Sequence, residues 1–312
     1  MLKYITTAVA LKAFSFTPQT KRAYRKLGNV MGQKKRIQMG LNQKYLGRAT
    51  KFLELVEKHH AVQPGDQLLE IGTGWLHWES TLLRLFYDVK ITLFDVWDNR
   101  QLDAYKRFFS QFDQVMDKEL KLEPAQSERA HALLKKVLRT QSFDDVYDVL
   151  DFRYVVNPTG TLDQFEDGTF SLIFSCNVLE HVEKPILPGF IKDYYRVLKP
   201  GGHSIEMIDL GDHLYYYDTT VSPKNYLRYS DKVWKRYFQN DVQYINRVQR
   251  PDWLELYHSA GFDTVEEESI SKDIGSIKID ESYKHLDQQN LQCITLWVIH
   301  EKAEVRDDVS AG

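Results

Sequence analysis

Residues 68–75, Leu-Leu-Glu-Ile-Gly-Thr-Gly-Trp, end a short apolar run in Glu70 and break into two glycines before a segment of helical spacing. That pattern is how a parallel strand hands a bound small molecule to a helix. Gly72 and Gly74 lack a Cβ, so the chain can turn sharply and a ligand can lie against the backbone. A second apolar run, residues 91–94, ends in Asp95, 21 residues beyond Gly74. A carboxylate there can accept hydrogen bonds from both hydroxyls of a ribose, which narrows the ligand to a nucleoside. Leu76 and His77 follow the loop where a dinucleotide site wants a third glycine to pack its helix near the pyrophosphate. S-adenosylmethionine has no phosphates to cradle, so it loses less by that absence than a nicotinamide dinucleotide does.

A second group of reactive side chains follows a later apolar run, residues 204–208: Asp209, Asp212, His213, Tyr215, Tyr216 and Tyr217. In open α/β sheets ligands sit beyond the carboxyl ends of strands, so this segment is the expected wall for a second substrate, with Asp212 and the three tyrosines touching it. Tyrosine offers an apolar face and a polar tip, which suits a sugar, polyol or aromatic acceptor. If a hydroxyl is to become a nucleophile, a base must take its proton, and histidine works near neutral pH. His213, with Asp209 and Asp212 beside it to orient the ring, is the preferred base; His181, after another strand end, is the second choice and could equally serve as a structural hydrogen-bonding group. Asp209, Asp212 and His213 could also bind a divalent ion, but three such neighbours on a strand exit are common without one, and no metal is expected.

The elements that must place these groups can be read in outline. Residues 1–60 read as helical and form an N-terminal extension; Pro64-Gly65-Asp66 turns into the first strand. The β-α alternation beyond it predicts a parallel sheet with right-handed crossovers. Residues 103–150 read as a helical insertion, a lid, an oligomer contact or a solvated hairpin. Residues 211–250 read as a cap ahead of the last two strands, 264–270 and 292–300, and residues 301–312 as a flexible tail. Phe190 to Leu198 has helical spacing, which Lys199-Pro200-Gly201-Gly202 should end.

Taken together, the Glu-x-Gly-x-Gly loop, the acid ending the second strand, "FSLIFSCNVLEHV" and "RVLKPGG" stand in an order and approximate spacing that resemble class I S-adenosylmethionine-dependent methyltransferases, over roughly residues 61–300. The resemblance implies an α/β, Rossmann-like sheet of seven strands, mostly parallel with the last antiparallel. It places Glu70, Gly72, Thr73 and Gly74 at the methionine end of S-adenosyl-L-methionine, Asp95 on its ribose, and Cys176 and Asn177 near the sulfonium. The acid that contacts adenine in that family has no counterpart here; Asn157-Pro158-Thr159-Gly160 occupies its region, so Thr159 or Gly160 stands in. The cap segment "DHLYYYDTTVSPKNYLRYS" with "YINR" is similar to bacterial methyltransferases of polysaccharide or secondary-metabolite pathways, which implies a small-molecule or glycan acceptor. A nucleic-acid methyltransferase, a non-catalytic adenosyl-binding protein and a nicotinamide dehydrogenase remain as alternatives.

Composition suits a large α/β core, with 312 residues, 43% hydrophobic and 27% charged. Two cysteines, Cys176 and Cys293, argue against a disulfide framework and fit a reducing, cytoplasmic setting. No run reaches the roughly 18 apolar residues that would span a bilayer. The charge is unevenly spread: residues 1–50 hold 11 Lys and Arg and no acid, and taking these from the chain's 41 leaves 30 against 44 Asp and Glu. Such a segment seeks an anionic partner: the protein's own acidic body, a membrane surface or lipid-linked substrate, or, less readily, nucleic acid. A transit peptide is a further reading, weakened by a single serine.

Overall fold

The computed structural model describes residues 1–304; the rest of the tail lies outside the described residues. In chain order the elements are α1 (Leu2–Phe14), α2 (Pro18–Met39), α3 (Gln43–Lys58), β1 (Gln67–Ile71), α4 (Trp78–Phe86), β2 (Lys90–Asp95), α5 (Leu102–Leu120), α6 (Pro124–Arg139), α7 (Phe143–Leu150), β3 (Phe152–Val156), β4 (Phe170–Cys176), α8 (Leu187–Val197), β5 (Leu198–Asp209), α9 (Asp231–Tyr237), α10 (Arg250–Ser259), β6 (Asp263–Ser271), α11 (Gln288–Gln292) and β7 (Cys293–Glu301). The seven strands form one sheet in the order β3-β2-β1-β4-β5-β7-β6. β1 pairs in parallel with β2 and β4, β2 pairs in parallel with β3, and β6 pairs antiparallel to β7. The sheet is thus the mixed, Rossmann-like one that the β-α alternation and the family resemblance imply. Its order reverses between β1 and β4, the kind of switch point beside which open sheets place ligands.

By contacts the chain falls into two compact units. One holds Asn29–Phe174 and Arg196–Ser204 with the segment from Lys302. Its strands read as apolar runs because both faces are covered: Leu68, Leu69, Leu93, Phe94, Leu172 and Ile173 are all buried. The helical insertion expected at 103–150 is three helices whose apolar stripes are spent inside this unit. α5 buries Tyr105, Phe108, Phe109 and Phe112, and Phe109 and Phe112 meet Trp78 of α4 at ring separations of 5.2 and 5.1 Å. The Lys199-Pro200-Gly201-Gly202 segment is already part of β5, since α8 ends one residue before that strand begins. Gly202 is required there: a Cβ would stand 2.8 Å from the Lys199 carbonyl and 2.9 Å from that of Ser171.

The other unit holds Met1–Gly28, Ser175–Tyr195 and Ile205–Glu301. α1, expected as part of an N-terminal extension, belongs to its core: Tyr4, Ala8 and Leu11 pack with Leu214, Tyr226, Leu227, Trp234 and Phe238. The Tyr4 hydroxyl donates to Asp212 at 2.7 Å, and the terminal ammonium meets Asp218 at 2.6 Å. Several bases of the N-terminal segment therefore find partners in their own chain, Lys12 at the carbonyls of Lys235 and Arg236 and Lys21 at Asp241.

Candidate active site

In the first unit, the loop after β1 is shaped by a buried hydrogen-bond chain. Glu70, the penultimate residue of β1, accepts from Thr73 Oγ1 at 2.8 Å and Ser80 Oγ at 2.6 Å. Burial, reinforced by the nearby Glu79, pushes the Glu70 carboxyl up to about 8. Because the Thr73 hydroxyl donates to Glu70, it accepts from His77 Nδ1 at 2.7 Å, and His77 Nε2 in turn accepts from Tyr147 Oη at 3.0 Å. Burial drives the His77 imidazole down to about 3, so the ring is neutral, as both of its bonds require. His77 itself takes the left-handed conformation (φ 46°) and opens α4.

Gly72 and Gly74 have φ of 68° and 62°, the region where a side chain is strained. A Cβ on Gly74 would meet only the Gly72 carbonyl, at 3.8 Å, so the space above this backbone is open. Asp95 ends β2 with one oxygen accepting the Gly74 N–H at 3.0 Å and the other the Val96 N–H at 2.7 Å. Burial raises its pKa against the pull of those N–H groups. The carboxylate is anchored, yet the oxygen that takes the Gly74 N–H keeps a lone pair to spare for a ribose hydroxyl. After β3, Thr159 is exposed and bonded to Asn157. Gly160 (φ 73°) lies where a Cβ would touch Val96 at 3.5 Å, bringing this turn beside the end of β2. Open glycine backbone, an anchored carboxylate acceptor and a polar turn fit the nucleoside expected from the sequence.

The second unit holds the other expected residues. Asn177, just after β4, has φ 58°, and its N–H donates to the Met207 carbonyl at 2.8 Å; Cys176 precedes it, half-buried and without a disulfide. Beyond it a short turn presents Glu180 and His181, and the turn after β5 presents His213. The two imidazole centres are 5.0 Å apart. His213 Nε2 lies 3.4 Å from Asp209 Oδ2, an ion-pair separation whose geometry makes no hydrogen bond. Burial would raise the Asp209 pKa, but His213, the Tyr216 hydroxyl (2.7 Å) and the Gly211 N–H (2.7 Å) hold it below the ordinary value. His181 Nδ1 is 2.6 Å from the Tyr244 carbonyl, so it donates there and leaves Nε2 without a hydrogen. Burial of its inner side, then the neighbouring His213, lowers the His181 pKa, although its outer edge is open to solvent.

Sequence reading missed two members of this cluster's surroundings. Glu180 is buried and neither carboxylate oxygen has a hydrogen-bond partner; burial, then the charge of Asp209, raises its pKa well above the ordinary range. Asn246 holds the turn by donating from its amide to the Leu179 and Val182 carbonyls, while its N–H donates to that of Glu180. Their signal was present in "NVLEHV" and "YINR", but pairing them takes a contact across more than 60 residues. Asp212 is turned inward: its oxygens take the Tyr4 hydroxyl and the Leu214 N–H, leaving Asp209 as the carboxylate at the imidazole. Tyr216 joins the cluster through Asp209; Tyr215 accepts from Lys272 at 2.7 Å and Tyr217 from Gln243 at 2.9 Å.

A family described as methyltransferase domain matches residues 41–267. No curated protein matches the chain. Among solved structures the chain is similar to a SAM-dependent methyltransferase from Methanosarcina mazei (13% identity, covering 80% of this chain and 97% of that one, TM-score 0.45). It is also similar to the geranyl diphosphate C-methyltransferase of Streptomyces coelicolor (12%, 82% and 79%, 0.47) and to a Pyrococcus horikoshii protein (14%, 84% and 92%, 0.47).

Proposed function

The chain belongs to the methyltransferase-domain family, and from that premise we propose that it transfers the methyl group of S-adenosyl-L-methionine to a hydroxyl of a small-molecule or glycan acceptor. The bound cofactor supplies a methyl group already activated by positive sulfur. The observation that supports a hydroxyl acceptor is the imidazole and carboxylate cluster of His181, His213, Asp209 and Glu180 at the exits of β4 and β5. An amine acceptor needs little help to lose its proton, whereas a hydroxyl needs activation. The tyrosines around the cluster suit a polyol or sugar, with Tyr216 the most exposed of the three. Much of the rate then comes from holding oxygen and methyl in line.

The test is His213→Ala. Turnover on a hydroxyl acceptor should fall by about 100-fold or more, while the calorimetric Kd for S-adenosylmethionine stays within a factor of about two. Unchanged turnover would remove the cluster from the chemistry.

A peripheral position on an anionic bilayer is also proposed, on a separate observation. α1 is apolar on two sides, and only the side with Tyr4, Ala8 and Leu11 is covered. Its other side presents Leu2, Ile5 and Val9, followed by Phe16, which is 77% exposed. Arg22 and Lys26 follow on exposed positions of α2. Exposed apolar side chains followed by exposed bases match the boundary of an acidic membrane, and no described helix is long and apolar enough to cross one. The protein should co-sediment with phosphatidylserine vesicles and not with neutral ones, and Val9→Ser with Phe16→Ser should abolish this. Self-association or RNA binding relieved by the same substitutions, without vesicle binding, would replace the membrane as the occupant.

A further inference from the structure

We propose that Glu180, His181 and His213 together hold one divalent cation. Each offers one donor atom, and the three donors lie within 4.8 Å of one another. Two imidazole nitrogens and one carboxylate are a ligand set that suits zinc or another first-row divalent ion and leaves coordination positions open.

Further observations carry this beyond proximity. The Glu180 side chain is 3% exposed, and both of its oxygens are without a hydrogen-bond partner. A buried carboxylate in that state is costly, and an ion at its oxygens removes the cost. His181 is set in the tautomer a ligand requires: Nδ1 donates to the Tyr244 carbonyl at 2.6 Å, which turns the bare Nε2 to within 4.0 Å of Glu180 Oε1. The turn carrying both residues is clamped by Asn246, whose amide and N–H occupy the carbonyls of Leu179, Glu180 and Val182. Asp209, 3.4 Å from His213 Nε2, adds negative charge at the edge of the group that a cation would offset. The outer edge of His181, 43% exposed, gives the ion a way in.

This deepens the hydroxyl-acceptor reading and rests on it, because it states how the cluster activates the oxygen. An acceptor with adjacent oxygens, such as a vicinal diol of a sugar or an α-hydroxy acid, would chelate the open positions. The cation lowers the pKa of the bound hydroxyl, whose proton leaves to solvent water. The oxygen lone pair forms the new O–CH3 bond, the S–CH3 electron pair stays on sulfur as a neutral thioether, and the ion keeps its oxidation state.

The test is titration of EDTA-dialysed full-length protein with Co2+, read by its visible absorption bands, and with Zn2+ by calorimetry. One equivalent should bind, and Glu180→Gln, His181→Ala and His213→Ala should each weaken binding by about 100-fold. Circular dichroism and the calorimetric Kd for S-adenosylmethionine on the same samples show that each variant is folded. Folded protein that binds neither ion stoichiometrically, or binds it undiminished in Glu180→Gln, overturns the site. Methylation that survives EDTA overturns the cation while leaving the methyltransferase reading intact. Stoichiometric binding without methylation of any hydroxyl acceptor upholds the site and sinks the hydroxyl reading instead.

Discussion

The Gly74 N–H donates to the Asp95 carboxylate at 3.0 Å, tying the glycine loop to the end of the neighbouring strand across 21 residues. The acceptor is thereby fixed before any ligand arrives, since Val96 and Trp97 N–H groups hold its other oxygen. Asp95→Ala removes the acceptor for a ribose diol and frees the loop. A hydrogen bond to a charged group contributes about 1.5–3 kcal/mol, so the loss of one ribose hydroxyl's bond should raise the calorimetric Kd for S-adenosylmethionine by roughly 10- to 100-fold. Asp95→Asn, keeping one acceptor oxygen, should fall between. A Kd equal to wild type in Asp95→Ala would end the ribose assignment.

Gly74 tests the other half of the cradle. Its φ of 62° is one a β-branched residue rarely adopts, and the space beyond it is open. Gly74→Val should cost about 1–3 kcal/mol of stability from backbone strain, visible as a modest drop in Tm. Cofactor binding should suffer far more, becoming undetectable by calorimetry, because the new side chain fills the open space over the loop. A variant that loses stability but binds normally would show that nothing lies on this backbone.

The glycine turn and the acid at the next strand end were legible in the sequence because each is local. Two glycines four residues or fewer from a strand end, and an acid at the next strand end, are features of short segments whose conformation follows from residue type. The parallel part of the sheet was legible for a similar reason, as β-α alternation leaves few topologies, whereas the seven strands and the antiparallel end came from the family resemblance. His77 was not: it stood out only as the residue displacing a glycine. Its position in the loop's hydrogen-bond chain depends on Tyr147, 70 residues away. Glu180 was missed because its burial without partners is a tertiary fact, and Asp212 was read as facing a substrate because nothing in its own segment announces Tyr4, 208 residues earlier. α1 was read as part of an extension on its charge, while its inner face belongs to a core built from residues beyond 210.

His77 makes stability depend on acid. In the folded chain its imidazole is held neutral, pushed down from 6.5 to about 3 by burial, so the unfolded chain binds the proton more readily. The contribution is complete above about pH 6.5 and is lost progressively as pH falls toward 3. His77→Asn tolerates the left-handed backbone and cannot be protonated. It should be less stable than wild type by about 1 kcal/mol at pH 7.5, where it lacks a hydrogen bond. Below pH 6 the deficit should shrink and then reverse, as measured by urea unfolding at both pH values. A deficit independent of pH would mean the ring is not buried neutral.

Tyr4 and Asp212 give the opposite sign. Burial raises the Asp212 carboxyl to about 6, and the Tyr4 hydroxyl, donating at 2.7 Å, is the strongest influence holding it down. A carboxyl whose pKa is raised on folding favours the folded chain when protonated, and that advantage is lost as pH rises from 3.8 through 6. Tyr4→Phe keeps the ring in its place against Phe238 but leaves a buried oxygen unpaired, costing about 1–3 kcal/mol at pH 8. With the hydroxyl gone the carboxyl is raised further, so at pH 5 the variant can meet the loss by taking up a proton. Urea unfolding should therefore show a larger deficit at pH 8 than at pH 5. Equal deficits would show that the two residues are linked only through packing.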